Sequence, residues 1–391
     1  MQLIHGMYKS CWKKQNMGQE RILLMREKAM WAVLHKSWEE SMKSDRTLLR
    51  QLMLKTTGEQ LWSASEPELI QRFPEIPMEV WQCFVKRRNR TDLEKVESYL
   101  NQHHIHILLY HSSSYPAILR EIYQPPAILY WKGNFSLADL NIAVVGSRKA
   151  DSYGLSVAEQ LGSDLSKAGV CVVSGLARGI DAKSHKGALN GSGGTIAVQG
   201  CGIDRIYPKE NSRLAEQILA HEKGCIITEF PLGSIPSAWH FPQRNRIISG
   251  LSQGVVIVQA AVKSGAFITV ETALEQGRDV FAVPGQINNP LSAGPHRFLQ
   301  EGARLITGVD DILEEYGQKS LFRAEEVPES KMALTKEEER VLQYITAEPV
   351  TIEEIAYLSR LSMAELMPLL SMLELYGLVK QMIGRKYIRI G

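Results

Sequence analysis

The sequence predicts an α/β protein: a central domain built on a mostly parallel sheet, preceded by a small helical domain and followed by a winged-helix domain. From Asn141 onward, strands rich in Val and Ile alternate with helical segments, which is the pattern of βαβ units. Between residues 21 and 100 the apolar residues recur at helical spacing. After residue 334, three helical segments precede two short strands with Gly384 between them, as in a winged helix.

Composition limits the classes of protein to consider. The chain has 391 residues, 44% hydrophobic and 23% charged, which favours two or three globular domains. Its net charge of +2 means that a nucleic-acid surface would have to come from local clusters of basic residues. Five scattered cysteines without a C-x-x-C pair argue against a disulfide framework or zinc knuckle and favour the cytoplasm. We expect no metal and no other cofactor.

The order of the domains follows from these patterns. Five segments are predicted: a basic tail at 1–20, a helical domain at 21–100, the sheet domain at 101–316, a linker at 317–333 and the winged-helix domain at 334–391. The longest apolar run near the N-terminus, residues 22–25, is too short for a signal peptide or a membrane span.

The strands of the sheet domain are short and strongly apolar. They are predicted at 105–110, 127–131, 141–145, 170–173, 195–198, 225–228, 255–258, 280–283 and 304–306. Near-continuous Val and Ile from residue 141 onward indicate strands that are covered on both faces.

A loop containing glycine follows six of these strands. The loops are Gly146-Ser147-Arg148, Ser174-Gly175-Leu176-Ala177-Arg178-Gly179-Ile180-Asp181, Gly200-Cys201-Gly202, Glu229-Phe230-Pro231-Leu232-Gly233, Lys263-Ser264-Gly265 and Pro284-Gly285-Gln286. Ligands of open parallel sheets bind at the carboxyl ends of the strands, and glycine lets backbone amides approach phosphate closely. The six loops together therefore predict an anion-binding edge.

The stretch Phe241–Leu251, FPQRNRIISGL, strengthens this prediction. Arg244 and Arg246 flank Asn245 ahead of an apolar helical run, so we expect the three side chains at the start of a helix. Helix N-termini bind anions through free N–H groups, and arginine adds bidentate donors suited to phosphate.

Several enzyme signatures are missing. The sequence has no G-x-x-x-x-G-K-[ST] motif, and GSRKAD stands where a dinucleotide fingerprint would follow the first strand. Residues 250–254 match G-x-S-x-G, but a nucleophile elbow needs a strand before the serine and a helix after it, and here that order is reversed. A binding protein is favoured over an enzyme.

With these residues in view, the chain resembles the DNA-processing protein A (DprA/Smf) family of bacteria. The matching stretches are GSR at 146–148, SGLARGID at 174–181, YPKEN at 207–211, TEFPLG at 228–233, FPQRNRIISGLS at 241–252, SGAFIT at 264–269 and EQGRDVFAVPG at 275–285. The sequence departs from the family pattern at Gln259, where the family usually has Glu, and at His296, where it usually has Asn.

The resemblance implies an extended Rossmann-like domain, a helical domain of SAM or helix-hairpin-helix type, and a winged-helix domain. It implies a non-enzymatic mediator that binds and protects single-stranded DNA, helps to load a RecA-type recombinase in natural transformation, and forms a homodimer. The residues it assigns to single-stranded DNA are Gly146, Ser147, Arg148, Ser174, Gly175, Phe241, Arg244, Asn245, Arg246, Lys263 and Ser264.

Two alternatives belong to other classes. A nucleotide-processing phosphoribohydrolase places phosphate-binding loops on a similar sheet, but that family resembles PGG-x-GT-x-x-E, and this chain has PGQINNP. A winged-helix transcription factor is disfavoured because the third helix of the last domain, Ser362–Tyr376, holds Glu365 and Glu374 but no Lys or Arg. Four basic residues of that domain lie on or beside the predicted wing: Lys380, Arg385, Lys386 and Arg389.

Overall fold

A computed structural model gives the architecture of the chain. It describes residues 23–41, 46–317, 334–346, 349–376, 378–382, 384 and 386–389. The predicted basic tail, and the predicted linker beyond Gly317, lie outside the described residues. The chain divides into two compact units, Met1–Leu321 and Phe322–Gly391.

The first unit begins with a group of short helices. Residues 23–41 are helical (α1), and α2 Arg46–Lys55, α3 Gly58–Ser63, α4 Glu66–Arg72, α5 Met78–Arg88 and α6 Leu93–Gln102 follow. Thr57 and Ser65 begin α3 and α4 with capping boxes, which satisfy free N–H groups of the first turn. Trp31, Trp81 and Phe84 are fully buried between these helices. The predicted helical N-terminal region is confirmed.

A nine-stranded sheet makes up the centre of this unit. Its strands are β1 His106–Leu109, β2 Ile128–Gly133, β3 Asn141–Val145, β4 Cys171–Ser174, β5 Thr195–Val198, β6 Gly224–Thr228, β7 Gly254–Ile257, β8 Asp279–Ala282 and β9 Arg304–Leu305. The spatial order is β1-β2-β6-β5-β4-β3-β7-β8-β9. All pairs from β6 to β9 are parallel, whereas β1 and β2 pair antiparallel at one edge. The predicted parallel sheet is confirmed.

Helices cover both faces of the sheet. They are α7 Ala117–Arg120, α8 Ser152–Lys167, α9 Ile180–Ala188, α10 Ser212–Ala220, α11 His240–Gly250, α12 Gly265–Glu275, α13 Ala293–Gln300 and α14 Asp310–Glu315. Alternate residues of β3 enter two different cores: Val144 packs with α8 and α9, and Val145 packs with α11 and α12. This two-sided burial explains why β3 is apolar along almost its whole length.

The bounds of α11 correct one prediction. The helix begins at His240, so Arg244 and Arg246 lie in its second turn and not at its N-terminus. Pro242 occupies the first turn, where the missing N–H of proline costs no hydrogen bond. The argument from free N–H groups at a helix start therefore does not apply to these two arginines.

The second unit is a winged helix. It contains α15 Lys336–Leu342, β10 Val350–Thr351, α16 Ile352–Ser359, α17 Met363–Leu375, β11 Val379–Met382 and β12 Lys386–Arg389. The three strands form one sheet in the order β10-β12-β11, so the predicted two-stranded wing gains a short third strand. Thr351 and Ser362 cap α16 and α17. No helix in the described part of the chain is long and apolar enough to cross a bilayer.

Candidate nucleic-acid interface

A cleft of about 830 Å³ lies at the carboxyl ends of the parallel strands. Three segments form most of its wall: the loop after β3 with Gly146, Ser147, Arg148 and Lys149, the first half of α11 with Phe241, Arg244 and Asn245, and the start of α12 with Ser264 and Gly265. The sequence prediction that loops after several strands meet at one edge therefore fits this geometry. We refer to this cavity as the cleft.

Arg244 is a buried part of the cleft wall. Its side chain is 4% exposed, and Nη1 donates hydrogen bonds to the carbonyl oxygens of Gly175 and Val198. Burial lowers the pKa of Arg244 to about 10, so the guanidinium stays charged at neutral pH. The side chain thus ties α11 to the ends of β4 and β5. A Cβ at Gly175 would lie 2.3 Å from this Nη1, which explains the need for glycine there.

Asn245 links α11 to the start of α12. Its Oδ1 accepts a hydrogen bond from Nε of Arg244 at 3.2 Å, and its Nδ2 donates to the carbonyl of Gly265 at 3.2 Å. At the next turn, Ser264 caps α12 by accepting a hydrogen bond from the Phe267 amide at 3.3 Å. Arg244 and Asn245 therefore connect α11 to the ends of β4 and β5 and to α12.

Arg148 and two aromatic rings form the mouth of the cleft. The guanidinium of Arg148 lies 4.9 Å from the centre of the Phe241 ring, within the range of a cation–π contact. The ring of Tyr207 lies 5.7 Å from that of Phe241, tilted by 34°. The same three side chains, with Gly175, line a smaller adjoining cavity of about 190 Å³. Arg148 and Tyr207 are both exposed, so that charge and ring faces are offered together.

The loop that presents Arg148 is fixed from beneath. The Ser147 amide donates to the carbonyl of Gln259 at 2.6 Å, and the Gln259 side chain in turn accepts from the Asp151 amide and donates to the Asp151 carboxylate. A glutamate at 259 would set a second carboxylate against Asp151. Gln259 therefore suits this local network.

Asp181 is the one carboxylate among the residues that line the cleft. Its Oδ2 accepts hydrogen bonds from the amides of Gly175 at 3.2 Å and Ala177 at 3.4 Å. Burial raises the pKa of this carboxyl, against the lowering effect of Arg244 and these amides. Because Arg148, Lys149 and Arg244 also line the cleft, it carries more positive than negative charge.

Four predicted residues lie outside the cleft: Gly175, which lines only the smaller adjoining cavity, and Ser174, Lys263 and Arg246. Ser174 is fully buried and donates to the carbonyl of Val144 at 2.7 Å. Lys263 is exposed on the loop before α12 but does not line the cavity. Arg246 pairs with Glu229 on the opposite side of α11, where Arg46 of α2 also contacts Glu229 at 3.3 Å. Two residues rotate a helix by about 200°, so Arg244 and Arg246 face opposite ways, and the prediction that they share one groove is wrong.

Sequence reasoning also missed residues that line the cleft. Lys149, Asp181, Tyr207, Thr269 and Leu291 all do so. Asp181 and Tyr207 stood within the SGLARGID and YPKEN stretches, so the signal was present but no role was assigned to them. Leu291 lies in a loop stretch, residues 288–292, that matches no ligand-binding motif.

Family models match most of the chain. The model described as DNA recombination-mediator protein A matches residues 106–317, which contain the whole sheet and the cleft. The model described as the DprA winged helix domain matches residues 325–385.

A relative and a solved structure agree with these matches. DNA processing protein DprA of Bacillus subtilis is 44% identical over 212 residues, which cover 54% of this chain and 71% of the relative. The crystal structure of DNA processing protein A from Streptococcus pneumoniae superposes with a TM-score of 0.59 at 35% identity, covering 72% of this chain and 96% of that one. DNA processing protein A from Helicobacter pylori, described as binding single-stranded DNA, gives a TM-score of 0.49 at 29% identity over 54% of this chain and 95% of that one.

Proposed function

Because the chain belongs to the DNA recombination-mediator protein A family, we propose that it binds single-stranded DNA in the cleft and acts as a recombination mediator without an enzymatic step of its own. The observation that carries this proposal is the pairing of exposed Arg148 with the Phe241 ring at the mouth of a positively charged cleft. A guanidinium stacked over an aromatic ring suits one nucleotide, whose phosphate is anionic and whose base is flat.

The arrangement favours backbone contacts over base reading. Arg148 and Lys149 offer charge, and the loop at Gly146–Ser147 brings backbone close to the cavity. A Cβ at Gly146 would meet the Gln259 carbonyl at 2.8 Å, so the tight loop requires glycine. Stacking on Phe241 tolerates any base because every base has a π-face. We therefore expect weak dependence on sequence and strong dependence on salt.

The test is fluorescence anisotropy with labelled single-stranded and duplex DNA at several salt concentrations. We expect preference for the single strand, and Arg148→Ala should lower its affinity by about tenfold and reduce the log–log salt slope by about 0.7 per lost phosphate contact. Lys167→Ala, at the far end of α8, is the control for loss of one charge. Wild-type affinity and slope in a folded Arg148→Ala variant would contradict the proposal.

The mediator role needs a partner that hydrolyses ATP, since the sequence carries no Walker motif. We propose a RecA-type recombinase, loaded onto single-stranded DNA during natural transformation, and the cytoplasm as the compartment. A surface that holds both strand and recombinase would raise the local recombinase concentration. The measurement is the lag before recombinase ATP hydrolysis on DNA already coated with a strand-binding protein. An unchanged lag, with no direct association, would replace the mediator role with simple protection of the strand.

A homodimer through the sheet domain is part of the same proposal. Helix α12 exposes Leu274 (51% exposed) to solvent outside the cleft, and an exposed apolar side chain there suits a symmetric contact. Analytical ultracentrifugation of Leu274→Glu should give a monomer where the native chain sediments as a dimer. A native monomer at micromolar concentration would contradict this part of the proposal.

The phosphoribohydrolase alternative has a direct test. Incubation of the protein with nucleoside monophosphates, followed by chromatography for free base, should show no release above the buffer control. Release that is lost in Asp181→Asn would favour the enzyme instead, because Asp181 is the carboxylate in the cleft.

A further inference from the structure

A second basic concavity adjoins the cleft on the side of α9. It has a volume of about 480 Å³ and is lined by Arg148, Lys183, Lys186, Arg213 and the Glu210–Asn211 segment, among others. We call it the α9 groove. Four of these residues are cationic and one is anionic, and Glu210 is paired with Arg178. The groove therefore has an excess of positive charge, and three of its four cationic residues do not line the cleft.

The groove continues directly from the cleft. Arg148 lines both cavities, and the start of α9 is fixed to the Arg148 loop, since the Ile180 amide donates to the carbonyl of Ser147 at 3.2 Å. Lys183 and Lys186 then lie about 4.5 and 9 Å further along the helix axis, at 1.5 Å per residue. Their spacing of three residues places them on one face of α9. A chain of cations thus leads away from the mouth of the cleft.

The two lysines share one carboxylate. Nζ of Lys183 and Nζ of Lys186 each lie 2.6 Å from an oxygen of Glu159 on α8. Their hydrogen bonds lower the pKa of Glu159, which keeps it ionised and leaves one net positive charge on the trio. Ion pairs exposed to this degree are weak because water screens them. Exchange of Glu159 for a phosphate therefore costs little.

We propose that the α9 groove binds the backbone of the same DNA strand where it leaves the cleft, so that Lys183, Lys186 and Arg213 contact phosphates beyond those held at Arg148. This inference rests on the proposed function, and it extends the binding site in a defined direction, from the ends of the strands onto the face of α8, α9 and α10. Short strands would occupy the cleft alone, and longer strands would occupy both.

The experiment compares two lengths of oligothymidylate, about 6 and about 20 nucleotides, spanning the usual range of single-strand sites. The variant Glu159→Gln/Lys183→Gln/Lys186→Gln removes the whole trio and changes the net charge by one. Lys167→Gln, on the opposite end of α8, makes the same change in net charge and is the matched control. Thermal unfolding of each variant verifies that it is folded.

We expect the triple variant to bind the long strand about tenfold more weakly, with the salt slope reduced by about 0.7 to 1.4 for one or two lost phosphates. The short strand should bind as it does to the native chain, and Lys167→Gln should match the native chain with both. Glu159→Gln alone should tighten binding of the long strand, because it frees both lysines.

Other results separate this inference from the proposed function. If the native chain binds both lengths but the triple variant and Lys167→Gln behave alike on the long strand, the α9 groove proposal is wrong and the cleft proposal stands. If the native chain binds only the long strand, and the triple variant loses it, the groove is the site and the cleft is not. If the native chain binds neither, both are wrong.

Discussion

Arginine plays a different role on each of the two sides of α11. On the cleft side, Arg244 lies among Arg148, Lys149 and a single carboxylate, at the wall of a cavity open to solvent. On the other side, Arg246 and Arg46 converge on Glu229, whose side chain is 2% exposed. Positive charge is in excess on the first side and enclosed on the second. Basic residues in a motif are therefore not by themselves a binding surface; the direction in which each one faces decides its role.

The enclosed side also connects two parts of the first unit. Arg46 begins α2, and its Nη2 donates to Oε1 of Gln243 on α11 at 2.6 Å. The helical N-terminal region is thus fastened to the helix that carries Phe241 and Arg244. Oε1 of Glu229 and Nη1 of Arg246 have no hydrogen-bond partner among the described residues. The buried charges are therefore balanced only through Oε2 of Glu229, which contacts both arginines.

The largest expected effect comes from breaking the enclosed side. Glu229→Ala leaves Arg46 and Arg246 without their buried counter-charge and should lower the free energy of unfolding by about 3–5 kcal/mol. Urea denaturation measures the change. The control is Glu210, the exposed partner of Arg178, because Glu210→Ala should leave the free energy of unfolding nearly unchanged. Equal effects of the two substitutions would erase the distinction between the enclosed and the open charges.

Substitution of Arg244 should lower both the stability and the affinity for DNA, because the side chain lines the cleft and also connects the elements around it. Arg244→Met leaves the carbonyls of Gly175 and Val198 without their shared donor, which should cost about 2–3 kcal/mol of stability. Affinity for single-stranded DNA should fall as well, since β4, β5 and α11 lose their common tie. The pair of measurements is denaturation and anisotropy on the same preparation. Full stability with lost affinity would make Arg244 a direct phosphate contact instead of a framework residue.

Phe241 should affect binding alone. Phe241→Leu removes the ring beneath Arg148 while keeping an apolar side chain, and a lost stacking contact is worth about 1–3 kcal/mol per base. We expect about tenfold weaker binding with an unchanged unfolding midpoint. Phe281→Leu, in the core beneath the sheet, is the inverse control, with lower stability and native affinity. A drop in stability for Phe241→Leu would mean that its ring packs instead of stacking on DNA.

The smallest expected effect concerns two buried histidines, one on α1 and one on α9. His35 lies 3.0 Å from the Tyr130 hydroxyl, and His185 accepts a hydrogen bond from the Leu176 amide behind the cleft. Burial lowers the pKa of each to about 3. Both stay neutral when folded and gain a proton on unfolding, so stability is full above pH 6.5 and falls toward pH 3.

His35→Phe removes one of these two protons. The loss of stability between pH 6.5 and 5.5 should shrink by about 1 kcal/mol relative to the native chain. Urea unfolding at both pH values measures it, and each variant serves as its own reference at pH 7. An unchanged pH dependence would mean that His35 is protonated in the folded state.

The parallel sheet and the position of the site could be predicted because both are local in origin. Val-rich runs fix the strands, and the loops that follow parallel strands share one edge. The direction of Arg246 could not be predicted, because it depends on where α11 begins and on partners more than a dozen residues away, Glu229 and Arg46. Lys183 and Lys186 could not be predicted for a similar reason. They belong to none of the matching stretches, and only the fold brings them beside Arg148.

The residues that line the cleft come from positions 145 to 291 of the chain, and three strands, β4 to β6, separate the Arg148 loop from α11. A chain emerging from the ribosome therefore cannot acquire a working cleft until nearly three quarters of its length has been made. Earlier intermediates expose apolar strand edges but hold no complete site. If the cleft binds DNA as proposed, strand capture is tied to completed synthesis, and neither a truncated product nor a proteolytic fragment ending before α12 would compete with the finished protein for DNA.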